Sequence, residues 1–210
     1  MKTRVSDQLA REDRILKEIQ IALSAIRTMD SNTRSCVGAV YASAPVTSGR
    51  RLYQAMAEYS ITSPLEFRKA HPDLFKAIIL KKNIRDGQRF GSSLEDRGWK
   101  RVIVPGTFFA NGWTQEHYMT LWRQVIVRHA HTVALSTDWE WSLGCSEELL
   151  IAIQHGKDIL QGFTSTTIDA SLIRLKKAID SIDKMGLDIK PHYEIWRQAT
   201  LTVEALKDTA

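Results

Sequence analysis

The sequence is poor in the features that mark several large classes of protein. Its 210 residues include only two cysteines, Cys36 and Cys145, which are too few for a disulfide framework. We therefore expect two free, buried thiols in a reducing cytoplasm. No apolar stretch approaches the roughly 18 residues that a membrane span needs, and Met1 to Arg4 lead into a charged amphipathic segment. These absences predict a soluble cytoplasmic protein without a membrane partner.

Motifs of several common chemistries are missing as well. No HExxH, GxGxxG, Walker or GxSxG pattern occurs, which argues against zinc proteases, dinucleotide-binding enzymes, P-loop proteins and serine hydrolases. His129 and His131 stand at i and i+2 before a strand, so they point to opposite faces, and no third ligand lies at metal-binding spacing. We expect no metal and no cofactor. The net charge of +5 is carried without a basic run or an RNA-binding aromatic motif, which favours a small anionic ligand over nucleic acid.

What the sequence does contain is typical of an α/β protein. With 43% hydrophobic and 25% charged residues it has a globular composition. Short apolar runs at residues 36–42, 100–105, 131–137 and 157–160 read as buried strands that alternate with amphipathic helices. This order predicts a three-layer, Rossmann-like or flavodoxin-like domain with a parallel sheet of four to five strands. The domain spans residues 34–165; helical additions cover residues 1–33 and 166–210, and residues 59–82 form an insertion able to cover the site.

The stretch from Trp139 to Leu150 is the strongest candidate for chemistry. It follows the strand at residues 131–137 and leads through a loop with Ser142 and Gly144 into a helix. Ligands of open parallel sheets bind in the crevice outside the carboxyl ends of the strands, so this loop points at the expected site. Glu147 and Glu148 are adjacent helix positions that diverge by about 100°, and only one of them can face that crevice.

The same stretch resembles a known family. Ser142-Leu143-Gly144, followed by Glu148 in a helix after a strand, is similar to the signature of the nucleoside 2-deoxyribosyltransferase-like superfamily. The Trp139-Glu140-Trp141 segment is closest to its uncharacterised bacterial and phage branch. In that family the serine helps hold a phosphate or sugar oxygen, and the glutamate is the nucleophile that attacks the anomeric carbon. The resemblance thus implies these roles for Ser142 and Glu148, and a nucleoside or nucleotide as the ligand.

Other candidate residues follow the first two strands. The loop after the first predicted strand resembles the family's sugar- or phosphate-binding loop. An arginine that the monophosphate glycosidases carry there is missing, and Arg50 or Arg51 could replace it. The alternative is a tight turn that binds no ligand. An aromatic loop after the second strand suits stacking on a base, or else plugs the core. Tyr118 could hydrogen-bond the nucleophile or belong to the core. The predicted substrate-binding residues are Ser43, Pro45, Thr47, Ser48, Gly49, Phe108, Trp113, Trp139, Ser142 and Gly144.

The resemblance implies cleavage of an N-glycosidic bond. Glu148 would stabilise or trap the positive charge that develops on the sugar, kept ionised by first-turn N–H groups of its helix. Asp138 would orient a sugar hydroxyl or protonate the leaving base. Water as acceptor makes a hydrolase and a second base makes a transferase. Two alternatives remain: a nucleotide-sensing module of the same fold without turnover, and an interaction protein built on its helical additions. The resemblance also implies a homo-oligomer.

Overall fold

The protein is represented by a computed structural model that describes residues 14–15, 17–24 and 38–208. Cys36 and most of the first predicted helix lie outside these residues. Residues 14–15 and 17–24 are helical and form α1, whose Ile15, Ile19 and Leu23 are buried. The three apolar side chains recur every four residues, as expected for one buried helical face.

The centre of the fold is a five-stranded sheet in the order β2-β1-β3-β4-β5. Its strands are β1 Ala39–Ser43, β2 Val102–Ile103, β3 Ala130–Leu135, β4 Asp158–Gln161 and β5 Thr164–Ser165. The first four pair in parallel, and β5 turns back to pair antiparallel with β4. The predicted α/β class with a mainly parallel sheet is confirmed. The antiparallel edge strand β5 was not predicted.

Helices connect and cover these strands. After β1 come α2 Arg50–Glu58, α3 Pro64–Ala70, α4 Pro72–Leu74, a π-helical stretch Phe75–Leu80 and α5 Lys81–Asp96. After β2 a 3₁₀ turn, Pro105–Thr107, precedes α6 Gln115–His129, and after β3 a second 3₁₀ turn, Trp139–Trp141, precedes α7 Leu143–Gln154. The chain ends in α8 Ile168–Lys184 and α9 Lys190–Asp208.

The two faces of the sheet carry separate cores, which makes three layers. Alternate residues of β1 point to opposite faces. Tyr41 joins the larger core with residues of α6 and α7, whereas Val40 and Ala42 join a smaller one with Leu94 of α5. The helices at both ends of the chain contribute to the larger core. The buried residues that α1, α8 and α9 supply to it are Ile15, Ile19, Leu23, Leu172, Leu175, Ile179, Ile195, Ala199 and Val203.

The helical segment after β1 is interrupted between Glu58, where α2 ends, and Pro64, where α3 begins. Ser63 caps α3, because its hydroxyl accepts a hydrogen bond from the N–H of Glu66 at 3.4 Å, and Pro64 takes the first helical position. Phe67 then anchors α3 in a third buried cluster with Leu52 and Ile79. Across the described ranges, no helix has the length and apolar character required to span a bilayer.

Candidate functional site

Two cavities open at the carboxyl edge of the sheet. The strand order changes direction between β1 and β3, and a ligand crevice is expected at such a point. One cavity, of about 340 Å³, lies beside α6 and α7 and has aromatic walls; we call it the aromatic cavity. The other, of about 580 Å³, lies beside α2 and α5 and is lined by ionic and amide side chains; we call it the polar crevice. Ala44, the first residue after β1, lines both.

Glu148 lies at the wall of the aromatic cavity and is held on both carboxylate oxygens. The Tyr41 hydroxyl donates a hydrogen bond to Oε1 and the Ser43 hydroxyl donates one to Oε2, each at 2.6 Å. Both donors come from β1, and Ser43 is its last residue. Only 6% of Glu148 is exposed. The carboxyl group is therefore fixed in one orientation at the point where the ligand crevice was expected.

Burial sets the protonation of this carboxyl group. The pKa of Glu148 is raised from 4.5 to about 7: desolvation by burial and the charge of Glu147 raise it, and the hydrogen bonds from Ser43 and Tyr41 oppose the rise. Near neutral pH the group is present in both forms. A group with such a pKa is suited to act as a nucleophile when ionised and as an acid when protonated.

The predicted stabilisation of the Glu148 charge by first-turn N–H groups is wrong. Helix α7 begins at Leu143, so Glu148 is its sixth residue and lies beyond the four N–H groups that a helix leaves free. Ser142 caps the helix instead, accepting a hydrogen bond from the N–H of Cys145 at 3.4 Å. Cys145 is a free, buried thiol, as predicted for this residue.

The ambiguity between the two adjacent glutamates is resolved. Glu148 lines the aromatic cavity, whereas Glu147 is partly buried near Arg123 of α6. Burial raises the pKa of Glu147, and the charge of Arg123 opposes that shift. The two side chains diverge as their helix positions require.

The tyrosine that holds the carboxyl group is Tyr41, and the expectation for Tyr118 is wrong. The Tyr118 hydroxyl accepts from the N–H of Ala110 at 2.9 Å and donates to the carbonyl of the same residue at 3.2 Å. It lines the cavity and fixes the loop before α6. A buried tyrosine hydroxyl needs a polar partner. Tyr41 lies in a predicted buried strand, and this need was the indication in the sequence that its hydroxyl would bind a polar group.

Aromatic side chains form one wall of the cavity. Phe108 packs against two tryptophans: its ring centroid lies 5.5 Å from that of Trp113 and 5.8 Å from that of Trp122. The indole N–H of Trp113 donates to Glu18 of α1 at 2.8 Å, so the N-terminal helix holds this wall in place. Phe109, at the mouth, is 84% exposed. The predicted residues Phe108 and Trp113 thus face a cavity and pack on each other.

Hydroxyl groups form the opposite part of the wall. Thr47, Ser48, Ser142 and Gly144 line the aromatic cavity, and the hydroxyls of Ser48 and Ser142 lie 3.0 Å apart. Gly49 has φ of 105° as the residue that caps α2, and a Cβ there would lie 2.9 Å from Pro45. Its role is to allow this turn.

Asn83, which sequence reasoning missed, positions the loop between β1 and α2. This residue of α5 is buried, and its amide donates to the carbonyls of Val46 at 3.2 Å and Ser48 at 2.8 Å. Its Oδ1 accepts from Arg51 at 2.7 Å. Both donor bonds of this buried amide hold the segment that carries Thr47 and Ser48, and the acceptor bond ties it to α2.

Several predicted site residues lie elsewhere. Asp138 adopts the left-handed conformation with φ of 59°, lines the polar crevice and pairs with Arg50 at 3.5 Å, so the structure does not bring it to Glu148. Pro45 and both arginines, Arg50 and Arg51, also line the polar crevice. Contrary to the prediction, Trp139 is a core residue: it is fully buried, and its indole donates to Gln161 at 2.8 Å.

The two histidines that were considered as ligands are not near either cavity. The exposed side chain of His131 lies 3.7 Å from Asp158, at the opposite end of β3 from the site. Within the described part of the chain, no three His, Cys, Asp or Glu side chains form a group able to hold a metal ion.

Comparisons of the chain with protein-family models, with curated proteins and with solved structures find no match. A function must therefore be inferred from the aromatic cavity and its side chains.

Proposed function

We propose that the protein cleaves the N-glycosidic bond of a nucleoside or nucleotide, with Glu148 as the nucleophile. The observation that carries this proposal is the buried carboxyl group held between the hydroxyls of Tyr41 and Ser43, at 2.6 Å each, beside an aromatic wall. A carboxylate beside the anomeric carbon stabilises the positive charge of the transition state and can trap the sugar covalently.

In the proposed reaction the Glu148 carboxylate attacks the anomeric carbon as the bond to the base nitrogen breaks. The bonding electrons leave with the base, which takes a proton, and an ester joins Glu148 to the sugar. Water then attacks the anomeric carbon and releases the carboxylate, so that the net reaction consumes one water molecule. A second base in place of water completes a transfer.

The aromatic wall supports the assignment of the leaving group. A flat ring such as a nucleobase stacks on aromatic faces, and stacking orients it without hydrogen bonds to particular ring atoms. Phe108 and Trp113 line the same cavity as Glu148, so a stacked base and a sugar at the carboxylate fit one substrate.

The test is a chromatographic screen for free base released from a panel of nucleosides and nucleotides, with and without an acceptor base. The wild type is compared with Glu148→Gln and with the control Glu147→Gln, which changes the neighbouring carboxyl group outside the cavity. We expect release by the wild type and the control, and a loss of at least about 100-fold in Glu148→Gln. Acid-quenched wild type should carry the mass of one sugar on the peptide that contains Glu148.

Absence of release from every substrate would refute the glycosidase proposal. Binding of a nucleotide without turnover would then favour the sensing module. If Glu148→Gln released base as fast as the wild type, the glycosidase proposal would stand and Glu148 would not be its nucleophile.

A homo-oligomer and a cytoplasmic location remain predictions. Phe109 offers an apolar group at the mouth of the cavity that a second copy could cover. Light scattering on the purified chain measures its mass directly, and a monomer at all concentrations would contradict the predicted oligomer.

A further inference from the structure

Arg68 is a cation in the wall of the aromatic cavity, and no carboxylate of the described residues pairs with it. It belongs to α3, in the segment between α2 and α5, and its side chain is partly buried. One terminal nitrogen donates to the carbonyl of Thr47 at 3.2 Å, and the guanidinium carbon lies 4.8 Å from the ring centre of Phe75. Its Nε is buried with no hydrogen-bond partner. Among the described residues it forms no ion pair.

The other arginines at this edge of the sheet are neutralised. Arg51 lies 2.6 Å from Asp86, and Arg50 lies 3.5 Å from Asp138. Both belong to the polar crevice, which therefore contains two internally compensated ion pairs. The aromatic cavity differs because the charge of Arg68 is left for a ligand.

Partial burial of this charge is unfavourable. Desolvation alone lowers the pKa of Arg68, with no carboxylate opposing the shift. A planar guanidinium presents its donors in a geometry that matches phosphate and carboxylate oxygens. An anion bound beside Arg68 would balance the charge of the guanidinium and accept hydrogen bonds from it.

Hydroxyl groups line the same cavity as Arg68. The bond from Arg68 to the Thr47 carbonyl places the guanidinium beside the loop whose Thr47 and Ser48 line the cavity. Ser142 faces Ser48 at 3.0 Å. A cation next to several hydroxyls is the arrangement that binds a phosphate group.

We infer that Arg68, with the hydroxyls of Thr47 and Ser48, binds a phosphate group of the substrate, so that the enzyme prefers nucleoside phosphates to nucleosides. This inference rests on the proposed glycosidic chemistry at Glu148 and specifies its substrate class. The helix that supplies the arginine is part of the insertion predicted to cover the site.

The first experiment measures the binding of inorganic phosphate to the full chain by calorimetry. We compare wild type, Arg68→Gln, Arg68→Lys and the control Arg50→Gln, whose charge is paired in the polar crevice. Loss of one charge-assisted contact should weaken binding about 10- to 100-fold in Arg68→Gln. Arg68→Lys should retain part of the affinity, and the control should match the wild type. No binding by wild type, or equal binding by Arg68→Gln, would overturn the inference.

The second experiment separates this inference from the glycosidase proposal. Base release is measured for matched pairs of nucleosides and their 5′-monophosphates with wild type and Arg68→Gln. We expect Arg68→Gln to raise KM about 10- to 100-fold for monophosphates and by a much smaller factor for nucleosides, which lack the phosphate that Arg68 would bind. Equal turnover of both members of a pair by wild type would refute the phosphate site and leave the chemistry standing. Arg68-dependent phosphate binding without base release would refute the chemistry and retain the anion site.

Discussion

Replacing Tyr41 by phenylalanine should raise the pKa of Glu148 without altering the shape of the cavity. The change removes the hydroxyl that donates to Oε1 at 2.6 Å and keeps the ring in the core of β1. This hydrogen bond favours the ionised carboxylate and lowers its pKa against the effect of burial. Its loss therefore shifts the equilibrium towards the protonated form.

The magnitude follows from the strength of such a bond. Hydrogen bonds to charged groups contribute about 1.5–3 kcal/mol, and one pKa unit corresponds to about 1.4 kcal/mol. A rise of about one to two units from the wild-type pKa of about 7 is expected. At pH 7 the ionised fraction would then fall from about one half to about one tenth or less. Activity that depends on the carboxylate would fall in parallel at pH 7 and recover at alkaline pH.

Carbon-detected NMR of glutamate carboxyl groups measures this pKa independently of any substrate, with Glu148→Gln used to assign the signal. The control is Tyr118→Phe, which removes a hydroxyl from the same cavity but one bonded to the backbone of Ala110. A Glu148 pKa that is unchanged in Tyr41→Phe, or shifted equally in Tyr118→Phe, would refute this account of the site.

Three further predictions concern stability. The pKa of Glu148 in the folded protein, about 7, exceeds its reference value of 4.5. The contribution of the protonated carboxyl group to the free energy of unfolding is therefore complete below about pH 4.5 and is lost as the pH rises through 7. Urea titrations should therefore show Glu148→Gln to be more stable than wild type by on the order of 3 kcal/mol at pH 8, and a constant difference from pH 4 to 8 would contradict this. Gly91→Ala should cost about 1–3 kcal/mol in thermal unfolding because its Cβ would lie 2.3 Å from Val104. Gly87→Ala, with a nearest contact of 3.3 Å, should be nearly neutral; equal losses would disprove the packing argument. The carboxylate in Asn83→Asp cannot donate to the loop carbonyls, so the free energy of unfolding should fall by about 1–3 kcal/mol. Hydrogen exchange at residues 44–49 should become faster, and unchanged exchange would show that other contacts hold the loop.

The strands were predictable where local apolar pattern determines them. β1, β3 and β4 are short apolar runs followed by turn residues, and their alternation with helices specifies the parallel sheet. The edge strand β5 contains only the exposed polar residues Thr164 and Ser165, so nothing in its composition indicates a strand. Pairing with β4 forms it, and pairing is a tertiary effect.

The site was predictable in position but only partly in its contacts. The loop was identified because it follows a predicted strand, and Glu148 was preferred to Glu147 within it because of the spacing in the family that it resembles. Its hydrogen-bond donors Tyr41 and Ser43 are 107 and 105 residues away in sequence, and no local pattern links them to it. Asp138 was assigned to the site because it follows the third predicted strand, and Trp139 because its segment resembles a branch of the family. The 3₁₀ turn that contains Trp139 directs its side chain into the core.

The π-helical stretch Phe75–Leu80 lets the chain hold one additional residue beside the cavity without turning the segments on either side. Such a stretch accommodates one residue more than an α-helix of the same path, whereas each residue of an α-helix turns it by about 100°. Leu80 at its end and Ile84 in α5 both line the aromatic cavity, while Ile79 is buried in the core. Deletion of a single residue within the stretch would therefore restore an α-helix of the same path and keep Leu80 and Ile84 in the cavity wall. The same deletion within the α-helical part of α5 would turn the preceding residues by about 100° and present a different wall to the ligand.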